Sequence, residues 1–495
     1  MTARKITAVT DLAEAYDLII VGAGPAGLTA ATEAAAHGVS ILVTDESDGP
    51  GGQMYRSITR LSESQFAFLG PDYWQGTSRV KAFNASTISY APHTTAWSLN
   101  PVEDNTGANT SGTGVEVGIS LAGAARLLRA RHVILATGAM ERPMPIPGWT
   151  LPGVMTAGAG QIALKSAGMV PAGKVVLAGC GPMLYQLAYQ LLLAGIKITA
   201  LIDTTDRNQM GKALAHLPGF LCSPYFFKGL KLLAKLRSSV PFIRGVTGLE
   251  ATGNGHVERL RYRKNGQWQE IQADLVMLHQ GVVPELSLAN SAGCALDWNP
   301  RQLSFQPRLD GDGQTTVPGI SIAGDGAKIG GADLAEVSGR LAALGALSSM
   351  GVLEKARKAD LKRPLERMLA RFQRGRPFLD TLYRPSDGFR IPSDDQTMVC
   401  RCEEVLAGQV RSAIAFGAPG PNQLKAFVRC GMGSCQGRLC SLTVTEMMAA
   451  ERKVNPEKIG FYHLRPPVKP LNVGELTSLP TSREAIMAAG GSDHR

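Results

Sequence analysis

The sequence predicts an α/β protein with two dinucleotide-binding, Rossmann-like domains, followed by a small helical domain built around a metal centre. Three observations carry this prediction. A glycine-rich turn joins two apolar runs within residues 17–53, the same plan recurs within residues 174–203, and five of the eight cysteines fall in residues 400–440.

The first unit reads DLIIVGAGPAGLTAATEAAAHGVSILVTDESDGPGGQ, an alternation of strand, turn, helix and strand. Gly22, Gly24 and Gly27 hold the G-x-G-x-x-G spacing, with Pro25 and Ala26 opening the helix. Gly22 permits the turn, Gly24 lets a pyrophosphate approach the backbone, and Gly27 lets the helix lie close to the strand. The helix start offers free N–H groups and a partial positive charge to that pyrophosphate. Asp45 and Glu46 close the second strand, where an acid can accept hydrogen bonds from ribose hydroxyls. The run GPGGQMYR follows; its glycines, Gly52 among them, can bring backbone against a flavin, and Gln53 can hydrogen-bond ring or phosphate.

Residues 76–123 are irregular and polar, and PVEDNTGANTSGTG reads as a loop or hairpin tip. A buried strand then ends in Ala136-Thr137-Gly138 ahead of a Pro-rich crossover, which makes Thr137 and Gly138 candidates for the first cofactor site. KVVLAGCGPMLYQLAYQLLLAGIKITALID repeats the nucleotide-binding plan with Gly179, Gly181 and Asp203. Leu184, however, stands where a third small residue is usual, so the helix must sit further from its strand. Two readings stand: a second site for NAD or ATP, or a fold kept without its ligand.

Residues 213–236 are amphipathic and basic, suited to a helix covering an edge, and residues 256–283 read as strands returning the chain to the first domain. In residues 317–343 a strand ends on Gly324-Asp325 and a helix starts near Ala332; an Asp there can bind a ribityl hydroxyl. The expected division is a discontinuous first domain (1–155 and 275–350), an inserted second domain (156–274), a basic linker (351–394), the cysteine domain (395–450) and a tail (451–495).

The net charge is +10, but no nucleic-acid motif accompanies it, so nucleic acid is not an expected partner. The basic residues concentrate only at 354–376, either a solvated helix face or a docking surface for an acidic partner. The N-terminal segment lacks the apolar stretch of a secretory signal. Residues 175–196 carry no charge, yet Gly179, Gly181, Pro182, Gln186 and Gln190 mark them as buried strand, turn and helix rather than a membrane span. A cytoplasmic protein is expected, with peripheral contact at the inner membrane left open.

In that compartment the cysteines point to metal rather than disulfides. Cys400 and Cys402 form a C-x-C pair, and Cys435 and Cys440 a C-x4-C pair in RCGMGSCQGRLC. Each pair precedes an amphipathic helix, whose N-terminus lowers thiolate pKa. Gly431, Gly433 and Gly437 let backbone N–H groups face the sulfurs, which tunes an iron–sulfur cluster. The spacing favours a 2Fe-2S cluster over zinc, whose cysteine pairs usually enclose two to four residues. Cys430 is an alternative ligand, whereas Cys180, Cys222 and Cys294 read as ordinary thiols.

Over nearly its whole length the chain resembles the A (alpha) subunit of bacterial heteromeric flavin dehydrogenases: opine oxidases, D-hydroxyproline dehydrogenase and hydrogen cyanide synthase. The resemblance rests on GAGPAG with DES–GPGGQMYR, on ATGAMERPMPIPGWTLPGVMTAGAGQ, and on CRCEEV with RCGMGSCQGRLC. The last pair is similar to bacterioferritin-associated ferredoxin in its C-x4-C variant. That variant also closes some glycerol-3-phosphate dehydrogenases, where the position of Cys430 is not cysteine; this selects Cys435 and Cys440 over Cys430.

The resemblance implies a two-domain flavin disulfide-reductase fold with FAD in the first site and a 2Fe-2S domain. It also implies a beta subunit of the D-amino-acid or glycine oxidase type that oxidises the substrate's C–N bond. FMN at the subunit interface, NAD or ATP in this chain, a small third subunit, and a quinone or respiratory-chain acceptor are further expectations from it. No acid, base or nucleophile stands out beside the motifs, so no catalytic residue is assigned here and the chain reads as an electron-transfer subunit. The rival readings are an NAD(P)H-dependent reductase in its own right and a scaffold whose cofactors are structural. A thioredoxin-reductase-type disulfide reductase is excluded by the lack of any C-x-x-C pair.

Overall fold

The computed structural model describes residues 2–102 and 114–480. Its first sheet grows from the apolar runs of the first unit. Leu18, Ile19, Ile20, Leu42 and Val43 are fully buried, as strands covered on both faces require. Across the sheet run Arg4–Lys5, Ser89–Ala91, Ile41–Thr44, Ala15–Val21, Ala124–Leu135, Gly114–Leu121 and Thr95–Val102, with Ile320–Ile322 added beside Ala124–Leu135. The pairings are parallel up to Ala124–Leu135, and the last three strands form an antiparallel meander. Val102 pairs with Gly114 across the foot of the expected hairpin; its tip, residues 103–113, lies outside the described residues.

Register decides where the site lies. Val21 pairs with Leu135, and Leu135 with Ile322, so Gly22, Thr137 and Gly324 leave the sheet at one edge. Two helices, Pro25–Ala35 and Ala332–Ser349, start at that edge. They cross closely, because Gly339 lies where any Cβ would come 2.1 Å from the carbonyl oxygen of Ala26.

The second sheet is wholly parallel and runs Phe242–Arg244, Ile198–Asp203, Val175–Gly179, Leu275–His279, Val154–Thr156. An antiparallel meander, Val246–Thr252, Arg259–Lys264 and Gln267–Gln272, packs against it. The strands Val154–Thr156 and Leu275–His279 thus sit in the second sheet, so the chain crosses over earlier and returns later than the expected boundaries of 155 and 275. An apolar run suits a buried parallel strand of either sheet, and nothing local assigns it.

The expected basic linker is folded. The helix Lys355–Gln373 packs Leu365 against the helix Ala332–Ser349, and Lys358 and Lys362 both pair with Asp312, at 2.7 and 2.6 Å. Residues 213–236 fall in the helices Arg207–Leu214, Leu217–Leu221 and Tyr225–Ser239, and in that span Phe227 and Leu230 remain exposed. No helix among the described residues is long and apolar enough to cross a membrane.

The small third domain has a two-stranded hairpin, Met398–Cys400 with Val405–Leu406, and three helices, Ala407–Ala415, Pro421–Val428 and Ser441–Arg452. It is fastened to the rest by polar bonds. Trp149 donates its indole N–H to the carbonyl of Met398 at 2.8 Å, and Arg390 forms an ion pair with Glu446, both side chains buried. The segment after it returns to the first sheet, where Val468 N–H donates to the carbonyl of Trp97 at 2.9 Å. Of the expected tail, residues 481–495 lie outside the described residues.

Arg390→Ala leaves the Glu446 carboxylate buried without its partner, which costs about 3–5 kcal/mol. Urea unfolding is expected to show that loss, while the paired change Arg390→Met with Glu446→Leu, which removes both charges, is expected to cost less.

Candidate cofactor sites

At the first site the glycine turn is held by sterics. Gly22 has φ +106°, and a Cβ there would lie 2.4 Å from the carbonyl oxygen of Ala136. At Gly27 a Cβ would lie 1.8 Å from the Gly22 carbonyl oxygen, so helix and strand touch. Gly24 caps the helix without a side-chain bond, Pro25 follows at the first helical position, and Ala26 is buried behind it. A Cβ on Gly24 would find only the Gly52 Cα within 4 Å, at 3.8 Å. The helix start is therefore an open cradle that fits a pyrophosphate.

Asp45 braces the turn itself. The N–H groups of Ala23 and Ser47 donate to its two oxygens at 2.6 and 2.7 Å, and burial pushes its carboxyl above the usual range. Glu46 is exposed and takes Lys469 from the C-terminal segment at 2.6 Å. Gly52 lies against Gly24, and Gln53 is exposed with its side chain accepting from Arg56 at 3.2 Å. The side chain of Thr137 reaches the carbonyl of Glu285 at 3.5 Å, and Gly138 accepts from the Glu285 N–H at 3.0 Å. Gly324 N–H donates to Ser338, and Asp325 takes the N–H groups of Gly330 and Gly331 on one oxygen at 2.8 and 2.9 Å. Asp325 thus orders the loop that leads into the helix Ala332–Ser349.

Sequence reasoning missed Lys165. It is buried on the helix Ala157–Ala167, and its ammonium donates to the carbonyls of Gln53 and Met54, both at 3.0 Å. Burial, with Arg56 nearby, brings its pKa down to about 7. It pins the loop that carries Gly52 and Gln53. The one local signal was its place beside the buried Leu164.

At the second site Gly179 has φ +146°, and a Cβ there would come 1.8 Å from the His279 carbonyl oxygen, so backbone and packing both require glycine at the turn. Leu184 is fully buried in the helix Pro182–Leu193, and Gly181 caps that helix without a side-chain bond. Asp203 is buried and accepts from Thr205 N–H at 2.9 Å. Beneath the turn His279 Nδ1 meets Glu141 at 2.6 Å, and the second Glu141 oxygen accepts from Gly158 N–H at 2.7 Å. Burial pushes the Cys180 thiol up to about 12, leaving it unreactive.

The third site gathers five thiols. The sulfurs of Cys400, Cys430 and Cys440 lie within 4.8 Å of one another, all three residues being buried. Cys402, which is exposed, and the half-buried Cys435 are hydrogen-bonding neighbours. Cys430, the alternative ligand of the sequence reading, therefore sits beside Cys400 and Cys440. Hydrogen bonds from Cys430 and Cys440, with the N–H groups of Gly431 and Glu403, bring Cys400 down to about 2. Gly433 lies where a Cβ would collide with the Cys402 side chain at 2.2 Å. Sulfur donors served by backbone N–H groups fit an iron–sulfur cluster.

The first and third sites share a wall. Val283, Glu285 and Ser287 line a small cavity of about 30 Å³ with Gln436 and Arg438 of the cysteine loop and Leu442 of the helix after it, and Glu285 also bonds Gly138.

Residues 16–342 match the pyridine nucleotide-disulphide oxidoreductase family. The chain belongs to that family. Residues 398–450 of this oxidoreductase match the BFD-like 2Fe-2S binding domain. The A subunit of opine oxidase from Agrobacterium tumefaciens is 51% identical over 100% of the chain and 97% of its own length. Its counterpart from Rhizobium meliloti strain 1021 is 40% identical over 94% and 99%. The HcnB subunit of hydrogen cyanide synthase from Pseudomonas aeruginosa is 29% identical over 94% and 98%. Among solved structures, L-proline dehydrogenase from P. horikoshii superposes with a TM-score of 0.68 at 18% identity, covering 96% of this chain and 80% of that one, a shared fold. The oxidoreductase is flavin-dependent, with FAD and a 2Fe-2S cluster as its cofactors.

Gly24→Val fills the open cradle over the helix start, and the purified variant is expected to lose its yellow flavin content, read by absorbance. Lys165→Met removes the two bonds to the Gln53 loop. With each charge-assisted bond worth about 1.5–3 kcal/mol, a lower melting temperature and faster flavin loss are expected, measured by flavin fluorescence on heating.

Proposed function

We propose that this chain is the electron-transfer subunit of a heteromeric amine, opine or imino-acid dehydrogenase. It takes electrons from a partner's flavin and passes them through its own flavin and 2Fe-2S cluster to an acceptor. A flavin accepts two electrons and can release them singly, and a 2Fe-2S cluster carries one. The observation that carries this reading is the shared wall: Glu285 bonds Gly138 on one side and faces the Gln436–Arg438 loop on the other.

In this reading Gly22, Gly24, Pro25, Ala26, Gly27, Glu46, Gly52, Gln53, Thr137, Gly138, Gly324 and Asp325 hold the FAD, with Asp45 shaping the turn. Cys400, Cys402, Cys435 and Cys440 hold the cluster. The partner that oxidises the C–N bond is a beta subunit of the D-amino-acid or glycine oxidase type, consistent with relatives named as subunits of opine oxidase and hydrogen cyanide synthase. Arg363, Arg367 and Arg371, exposed on one face of the helix Lys355–Gln373, are the proposed docking charges. The acceptor is a quinone or another respiratory-chain component, reached from the cytoplasmic side of the inner membrane.

The alternative, a stand-alone NAD(P)H reductase, is favoured by one observation, the uncapped helix start after Gly179 and Gly181. Rapid bleaching of the flavin by NADH in stopped flow would support it.

The isolated chain is expected to keep its cofactors yet to oxidise no opine, proline derivative or glycine; adding the cognate beta subunit restores turnover of a dye acceptor. Charge reversal at Arg363, Arg367 and Arg371 is expected to slow association more than dissociation, measured by surface plasmon resonance. Turnover by the chain alone at the rate of the complex would return the chemistry to these residues.

A further inference from the structure

A two-iron cluster takes four thiolates, two on each iron. This chain brings five cysteines together, one more than the four-ligand reading uses. The sulfurs fall into two groups, Cys402 with Cys435, and Cys400 with Cys430 and Cys440. Each cysteine pair of the sequence is split between the groups. The C-x-C pair sends Cys400 to one and Cys402 to the other, and the C-x4-C pair sends Cys440 and Cys435 likewise. One sulfur per pair per iron completes the set of four, and Cys430 is left over.

We propose that Cys430 is a non-ligating thiol that donates its S–H to the ligand sulfur of Cys400 and thereby raises the reduction potential of the cluster. The inference rests on the four-ligand reading under Proposed function.

Cys430 is held in place to do this. It follows the helix Pro421–Val428, it is fully buried, and Tyr462 donates its hydroxyl to the Cys430 carbonyl at 2.9 Å. Tyr462 is itself fully buried, and its ring lies against the backbone of Gly431 and Gly437, with Lys425 4.5 Å above its centroid. Gly431, next in the chain, gives its N–H to the Cys400 sulfur. Backbone and side chain of this one segment thus aim two donors at the same ligand. Reduction adds negative charge to the cluster and its sulfurs, and donors aimed at those sulfurs stabilise that charge, which moves the potential upward. Solvent does not supply this bond, because Cys430 is shut away from water.

The test uses the full chain, purified anaerobically, as Cys430→Ala and Cys430→Ser. Iron and acid-labile sulfide are counted, the reduced protein is examined by electron paramagnetic resonance, and the midpoint potential is titrated. Both variants are expected to keep the parent's iron and sulfide. The alanine variant shifts to a lower midpoint, and the serine variant, whose hydroxyl still donates, lies between it and the parent. An unchanged midpoint in the alanine variant would overturn the proposal. So would loss of iron and sulfide from Cys430→Ala with their retention in Cys440→Ala, which would make Cys430 the ligand. Should alanine unfold the domain, Cys430→Val, which fills the same space without a donor, decides in its place: lost iron or an unmoved potential counts against the proposal. Zinc without sulfide in the parent protein would instead defeat the two-iron reading itself, and the two failures are thereby distinct.

Discussion

The parallel register of three strands is the constraint on which the first site depends. Val21, Leu135 and Ile322 end level with one another, so a turn, a strand end and a helix entrance from three distant parts of the chain meet at one edge. A slip of one residue would exchange each strand's side chains between two packed faces and separate Gly22 from Thr137 and Gly324. Because both faces are packed, such a slip would also force both cores to repack. The helices then follow by contact, Gly27 against the Gly22 carbonyl and Gly339 against that of Ala26.

The second sheet obeys the same constraint with a different outcome. Gly179 is pinned against His279 of the neighbouring strand, but a fully buried Leu184 stands at the position where Gly27 lets helix and strand touch in the first unit. Its acid, Asp203, is drawn inward to Thr205, and the space under the turn is occupied by the His279–Glu141 pair. The two units share a plan and differ in what their side chains are left to do.

The third domain is more than an appendage. The ion pair of Arg390 with Glu446, the Trp149 bond to Met398 and the returning segment through Val468 hold it against both sheets. That attachment sets the cysteine loop beside residues 283–287, which also touch Gly138. Proximity of the cysteine loop to the first site thus follows from how the whole domain is seated.

Local features were readable from the sequence alone. The glycine turns, the buried strands around them and the cysteine pairs are short-range patterns, and the physics that requires them acts over a few residues. Family resemblance added the likeness to heteromeric dehydrogenases, which no spacing contains. Only the tertiary structure decided that Asp45 is committed to the turn while Glu46 faces outward to Lys469, 423 residues away. It alone placed Leu275–His279 in the second sheet, folded the basic stretch onto Asp312, and buried Lys165 under the Gln53 loop. It alone set Cys430 beside Cys400 and Cys440. The reason is common to all of these. Which partner a strand, a charge or a thiol finds depends on burial and long-range pairing, and those are properties of the packed chain rather than of any stretch within it.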